Sequence, residues 1–402
     1  MENFNQFRNP FRPGSGHMPP YLAGRIKEKE EFERIIEQKV VLDNFILTGL
    51  RGVGKTVLLD TLKPIALSKN WLWVGTDLSE SISLSEERIA LRMMTDLSVV
   101  TSSLVIDKTV LQTMIGFGAK QVAHELKLDF DTMVDIYDRT PGLVIDKIKS
   151  VLEIVWKTMS DHKLKGIVFA YDEAQNLADH SAKEEYPLSL MLDLFQSLQK
   201  KGAPFILVLT GLPTLFPKLV EARTYAERMF RVCFLDRLTD DESRDAVVKP
   251  VSVAECPITM TDDSVELCVE KSAGYPYFIQ FLCREIYDIF LQNIGERNIS
   301  IPIIDILRKL DTDFFAGRWG RATDRERDLL RVVANLENCD HEFTVQEVVQ
   351  KSKQLLEHPM SASQISQMFG KLAKSGLIYK NRHGKYSFAV PLMAQFILRQ
   401  RD

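Results

Sequence analysis

Over the first 240 residues, short continuous apolar runs alternate with longer stretches whose apolar residues recur every three or four positions. Phe45-Ile46-Leu47, Trp71-Leu72-Trp73-Val74, Gly166-Ile167-Val168-Phe169-Ala170, Phe205-Ile206-Leu207-Val208-Leu209 and Val232-Cys233-Phe234-Leu235 each predict a strand. Runs without polar alternation belong to strands buried on both faces, so they predict a parallel sheet covered by helices. Helical spacing is expected over Lys27–Gln38, from Val57 onward, and over Tyr186–Lys201, where Leu188, Leu190, Met191, Leu194 and Leu198 share one side. From Ser83 to about Lys163 the pattern is mostly helical, with Ser83 and Glu86 as a helix start. The segment from Ile115 to Phe130 is ambiguous and is compatible with a hairpin.

After residue 239 the strand signals stop. Thr239 and Glu242 form a capping signature, and helices are expected to about Leu310, interrupted at Ser272-Ala273-Gly274-Tyr275-Pro276-Tyr277. Three more helices are expected at Asp324–Leu336, Thr344–Leu355 and Ser361–Ser375. Two short strands then flank the polar tip Asn381-Arg382-His383-Gly384. Three helices followed by a hairpin is a winged-helix pattern. At the other end, residues 1–20 are rich in Asn, Pro, Gly and Phe, which predicts an extended, flexible arm, not a packed element. The expected domains are the arm at 1–20, an α/β nucleotide-binding domain at 21–237 with a helical insertion at about 80–163, a helical lid at 238–312 and a winged helix at 313–402.

The chain has 402 residues, 45% hydrophobic and 26% charged, with a net charge of −4. That composition suits a globular protein and gives no protein-wide basic field, so any nucleic-acid contact must be local. Five scattered cysteines without a close pair suggest reduced thiols and a cytoplasmic setting. The first residues lack a basic-then-apolar signal layout. The longest apolar candidate, Phe205 to Phe216, is broken by Thr210-Gly211 and Pro213, so no membrane span is expected.

Two motifs carry chemistry. Gly49-Leu50-Arg51-Gly52-Val53-Gly54-Lys55-Thr56 fits G-x-x-x-x-G-K-[ST] between a predicted strand and a helix that begins with Val57. Glycines let the backbone wrap a polyphosphate, and amides at the helix start point at it. Lys55 would neutralise phosphate charge, and the Thr56 hydroxyl would ligate Mg²⁺. The strand Gly166–Tyr171 ends in Asp172-Glu173. An acid there holds Mg²⁺, and a second acid orients and deprotonates the attacking water. Thr210 ends its strand in the same way and is either a γ-phosphate sensor or a satisfied turn threonine. On the C-terminal segment, Lys371, Lys374, Lys380, Arg382 and Lys385 form a local basic set suited to DNA phosphates. Protein docking is the alternative use of such a module.

Taken together, Leu47 to Leu59, Asp172-Glu173-Ala174-Gln175, Leu209 to Pro213, Tyr225-Ala226-Glu227-Arg228, Gly274 to Phe278, and Gly376-Leu377-Ile378-Tyr379 with Arg382-His383-Gly384 resemble the bacterial AAA+ ATPases related to the origin-recognition initiators. Leu22-Ala23-Gly24-Arg25 and the Pro- and Gly-rich arm are also similar. The resemblance implies an ATP-binding, ATP-hydrolysing switch with Mg²⁺ as cofactor. Gly24 and Arg25 would border the adenine, Asp172 would coordinate Mg²⁺, Glu173 would be the base and Thr210 the first sensor. Arg228 would be an arginine finger toward a neighbouring subunit, implying a nucleotide-dependent homo-oligomer, or else a structural ion pair. No arginine follows Gly274. Instead Gly274-Tyr275-Pro276 matches the Gly-x-Pro of STAND-type signalling ATPases. That similarity implies slow turnover, with ATP as a latch and a protein partner in place of DNA.

Overall fold

The computed structural model describes residues 9–14, 16–106, 126–256, 258–293, 300–382 and 384–400. The chain forms two compact units, one of Arg25–Thr48 and Lys55–Phe234, the other of Met1–Gly24, Gly49–Gly54 and Leu235–Asp402.

The first unit is built on a five-stranded sheet of β1 (Asn44–Gly49), β2 (Trp71–Val74), β5 (Gly166–Tyr171), β6 (Phe205–Gly211) and β7 (Phe230–Leu235), in the order β2-β5-β6-β1-β7. The pairs β2–β5, β5–β6 and β1–β6 are parallel, as expected from their unbroken apolar runs. β1, β5 and β6 are buried along their whole length. Buried Asn44 fixes where β1 starts: its side chain donates to Met229 C=O at 3.2 Å and accepts the Leu207 N–H at 2.7 Å. Helices Ile26–Glu37, Lys55–Ser68, Glu86–Thr101, Val144–Asp161 and Pro187–Lys200 belong to this unit.

The helical stretch after β2 begins later than expected. Ser85, not Ser83, caps Glu86–Thr101 and accepts the Arg88 N–H, because Ser83 is spent elsewhere: its hydroxyl accepts the Ala178 N–H at 2.8 Å. Most of the ambiguous Ile115–Phe130 segment lies outside the described residues. Within it β4 (Leu126–Lys127) pairs antiparallel with β3 (Val105–Ile106), which precedes the segment. Gly75 shapes the end of β2. Its φ is +136°, and a Cβ there would stand 1.7 Å from the Ala170 carbonyl oxygen, so only glycine lets the two chains run this close.

In the second unit, helices Asp240–Val253, Asp262–Ser272 and Pro276–Gln292 share one hydrophobic core with Asp324–Ala334, Val345–Leu355 and Ala362–Lys374. β8 (Phe343–Thr344), β9 (Ile378–Arg382) and β10 (Lys385–Phe388) form a three-stranded sheet in the order β8-β10-β9. The hairpin β9–β10 matches the sequence pattern; β8, only two residues long, carries no periodicity to reveal it. Thr239, Thr323, Thr344 and Ser361 each accept the backbone N–H three residues on while Glu242, Glu326, Glu347 and Gln364 return the bond.

The arm departs from expectation. Residues 9–14 are packed, where an unpacked arm was expected. Phe11 is 3% exposed within the helical core and meets Tyr287 edge-on at 6.0 Å. Asn9 donates to the Arg284 carbonyl at 2.9 Å and to Asp288 at 2.7 Å, and the Arg12 N–H reaches Gln280 at 2.9 Å. A Pro- and Gly-rich stretch has no periodicity to announce a single aromatic anchor, which is why composition misled. Among the described residues all five cysteines are free thiols, and no helix is long and apolar enough to cross a membrane.

Removing a buried aromatic costs about 3 kcal/mol or more. Phe11→Ala should therefore lower the stability of the helical unit by about that amount and speed amide exchange along Pro276–Gln292. Exchange rates identical to wild type would contradict arm docking.

Candidate functional site: the glycine loop and the acidic strand end

The loop between β1 and helix Lys55–Ser68 turns on two glycines in the left-handed region, Gly52 at φ +80° and Gly54 at φ +89°. Val53 between them is buried, whereas Arg51 is exposed. Gly49 is needed for a different reason: a Cβ there would lie 2.4 Å from the Leu235 carbonyl oxygen. Within the same unit the loop is braced by the start of helix Pro276–Gln292, where Tyr277 donates its N–H to the Gly52 carbonyl at 3.1 Å. Pro276 occupies the first turn of that helix, where its missing N–H costs nothing. The Gly274-Tyr275-Pro276 element thus leads directly into the residue that holds the loop.

At the end of β5, Asp172 is 5% exposed and fully engaged. Its Oδ2 accepts from the Thr56 hydroxyl at 2.5 Å, and its Oδ1 accepts the Glu173 N–H at 2.7 Å. Glu173 follows with φ +52°, a left-handed turn that throws its side chain off the strand into solvent. Its carboxylate is held by the Gln175 side-chain NH₂, while the Gln175 side-chain oxygen Oε1 accepts the Leu212 N–H at 3.1 Å just past β6. Thr210 is buried on β6, and its hydroxyl donates to the Tyr171 carbonyl at 3.3 Å, one residue before Asp172.

Two acids join this group that sequence reasoning passed over. Asp77 pairs with Asp172 in a parallel bridge, secured by Asp172 N–H to Thr76 C=O at 3.2 Å and Leu78 N–H to Asp172 C=O at 2.9 Å. Paired residues of neighbouring strands project to the same face, so Asp77 shares the face on which Asp172 meets Thr56. Asp60 lies one helical turn beyond Thr56 and therefore on the same side of its helix. Both carboxyls titrate above the usual range, first because they are partly desolvated and next because of the Asp172 charge. The spacing Thr56 to Asp60 was legible in the sequence; the bridge that brings in Asp77 was not.

The remaining candidates are dispersed. Gly24 and Arg25 are consecutive left-handed residues at the entry to helix Ile26–Glu37, at φ +65° and +66°. Arg25 is 9% exposed, with its guanidinium 3.5 Å from Glu28. Arg228 is exposed and lines a surface groove of about 400 Å³ with Val40, Leu42 and Tyr225. The neighbouring ion pair belongs to Arg223, which grips Asp193 with two nitrogens; Arg228 has no carboxylate partner among the described residues. On the C-terminal segment Lys371, Lys374 and Lys380 are exposed, and Lys385 pairs across the hairpin from Arg382. The Arg382 side chain and His383 lie outside the described residues.

Residues 312–397 match a family model described as a "Domain of unknown function (DUF8462)". Among curated proteins none matches the sequence. Among solved structures the chain is similar to the ORC2 protein of Aeropyrum pernix in its ADP form, with a TM-score of 0.51, 13% identity, and coverage of 96% of this chain and 95% of that one. The same protein in its ADPNP-ADP complexes gives a TM-score of 0.50, 12% identity and 96% coverage of both chains. The A. pernix ORC1 protein in complex with DNA gives a TM-score of 0.46, 16% identity, and coverage of 94% and 93%. At these identities the ORC2 likeness shows the fold alone, a parallel α/β sheet followed by helical C-terminal elements.

The raised carboxyls set a sign. A folded-state pKa above the unfolded value opposes folding at neutral pH, and the penalty fades as pH falls through the raised pKa toward the ordinary one. Asp172→Asn removes one cause of the shift at Asp77 and Asp60, so both should titrate closer to ordinary aspartates in carboxyl-carbon NMR. Unmoved titrations would show that Asp172 does not act on them.

Proposed function

We propose that this chain is a nucleotide-dependent switch that binds ATP at the glycine loop and hydrolyses it. The observation that carries the reading is the hydrogen bond from Thr56, the last residue of the loop motif, to Asp172 at the acidic strand end. The ADP and ADPNP named for the ORC2 structures are ligands of the kind this loop would take. Backbone amides of Gly52, Val53 and Gly54 would cradle phosphate oxygens, and Lys55 would neutralise their charge.

The polar groups present also suit magnesium. A hydroxyl and a carboxylate already within hydrogen-bond distance are hard oxygen donors, and Mg²⁺ is commonly held by one or two protein oxygens with phosphates and water completing its shell. When bound, Mg²⁺ would supply charge neutralisation of the phosphates. Thr56 and Asp172 would hold it. Glu173, steadied by Gln175, would take the proton of the attacking water. Thr210 would read the state of the β5 end through its bond to Tyr171 C=O. Exposed Arg228, free of any described carboxylate partner, is available to a neighbouring subunit as an arginine finger.

The output of the switch is assigned to the C-terminal winged-helix-like module. Exposed Lys371, Lys374 and Lys380, with Arg382 and Lys385, would contact duplex DNA through its phosphates. A second reading, a STAND-like switch with slow turnover and a protein partner in place of DNA, is favoured by one observation. The Gly-x-Pro element is followed immediately by the loop-holding Tyr277, as a latch would require.

Lys55→Ala should abolish ATP binding in calorimetry, whereas Glu173→Gln should bind ATP yet lose phosphate release by a hundredfold or so, in line with loss of a general base. Wild-type turnover in Glu173→Gln would remove Glu173 from the mechanism. For the output, the triple change of Lys371, Lys374 and Arg382 to Ala should lower duplex affinity and reduce the slope of log affinity against log salt by about 3. Should wild type show no duplex affinity at low salt while ATP alone drives its assembly, the protein-partner reading would replace the DNA reading.

A further inference from the structure

Within its own unit the glycine loop is followed outward by a chain of packed contacts. Tyr277 donates to Gly52 C=O at 3.1 Å and stands so close that a Cβ on Gly52 would lie 3.0 Å from the Tyr277 Cβ. The Tyr277 ring lies against Phe314, with centroids 4.7 Å apart and planes at 32°. The Arg318 guanidinium sits 4.7 Å from the Phe314 ring centroid, and its Nη1 donates to the Phe314 carbonyl at 2.6 Å. Arg318 is thereby fixed in place by a ring face and a backbone acceptor. The turn before it, Asp311–Phe315, is π-helical, an irregularity frequent at functional positions.

The electrostatics of this position are incomplete. Arg318 is half-buried, and among the described residues it has no carboxylate partner. Asp313 lies near Tyr277 but forms no ion pair with Arg318. Burial, then Arg51 of the glycine loop, then Arg321 disfavour its cation, and Tyr277 alone offsets them in part. A guanidinium stays protonated regardless, so the repulsion is not relieved by losing a proton. Like charges gathered at a phosphate loop, with the guanidinium held by a ring and a carbonyl, form a site whose charge an anion would complete.

We infer that Arg318, together with Arg51, contacts phosphate groups of a nucleotide bound at the glycine loop and favours a triphosphate over a diphosphate. The inference rests on the nucleotide reading of that loop. It also gives the segment matched by the family of unknown function a direct part in ligand binding, since Arg318 lies inside it. The lid sequence Gly274-Tyr275-Pro276-Tyr277 contains no cation, and Arg318 supplies one from a later turn of the chain.

The test is calorimetric titration of ATP and of ADP into full-length wild type, Arg318→Gln, Arg318→Lys and Lys55→Ala, with melting temperatures taken without nucleotide. Arg318→Gln is expected to weaken ATP by about ten- to a hundredfold, the worth of a charge-assisted bond, and ADP by less. Arg318→Lys should recover part of the loss. The nucleotide-free melting temperatures show that each variant is folded at the temperature of titration. An unchanged ATP-to-ADP affinity ratio in Arg318→Gln, with wild-type binding intact, would overturn this inference alone. Absence of ATP binding by wild type itself would overturn the nucleotide reading and this inference with it.

Discussion

The buried carboxylate of Asp172 is the constraint on which the site depends. A carboxyl held at 5% exposure needs partners, and here it has two: the Thr56 hydroxyl and the Glu173 amide. The first ties the start of the helix after the glycine loop to the end of β5. The second sets the left-handed turn that turns Glu173 outward. Gly75 permits the close approach of β2 that adds Asp77, and the helix periodicity adds Asp60. Asp60 and Asp77 thus join Asp172 near the Thr56 hydroxyl, and their carboxyls titrate high, first from desolvation and next from the Asp172 charge.

Much of this was legible in the sequence because the physics is local. Unbroken apolar runs announced buried parallel strands, and capping pairs such as Thr239 with Glu242 announced helix starts. A glycine pattern between strand and helix announced the loop. Other features depend on partners distant in sequence. Phe11 looked like part of a loose arm because nothing near it in the chain says that Tyr287 will receive it. Asp77 follows a four-residue strand and looked like a loop acid until the bridge to Asp172 placed it. Ser83 looked like a helix cap and turned out to be engaged with Ala178. Arg318 has no motif at all; only the stack of Tyr277 on Phe314 gives it a position.

The helical unit gives the proposed switch its means of response. One apolar core includes Phe11, helix Pro276–Gln292, Phe315 and the helices of the C-terminal module. Close-packed interiors transmit displacement instead of absorbing it, so a change at Tyr277 would be felt along that core. Within this unit Tyr277 holds the Gly52 carbonyl, and its ring leads on to Phe314.

On the proposed function, Lys55, Thr56 and Asp172 would act together on a magnesium-bound polyphosphate. The most direct measurement is the affinity for ATP with Mg²⁺ and with chelator, in wild type and in Thr56→Val, which keeps the shape and removes the hydroxyl. The account requires that Mg²⁺ strengthen ATP binding in wild type and that Thr56→Val lose most of that dependence. An equal magnesium dependence in both proteins would contradict it.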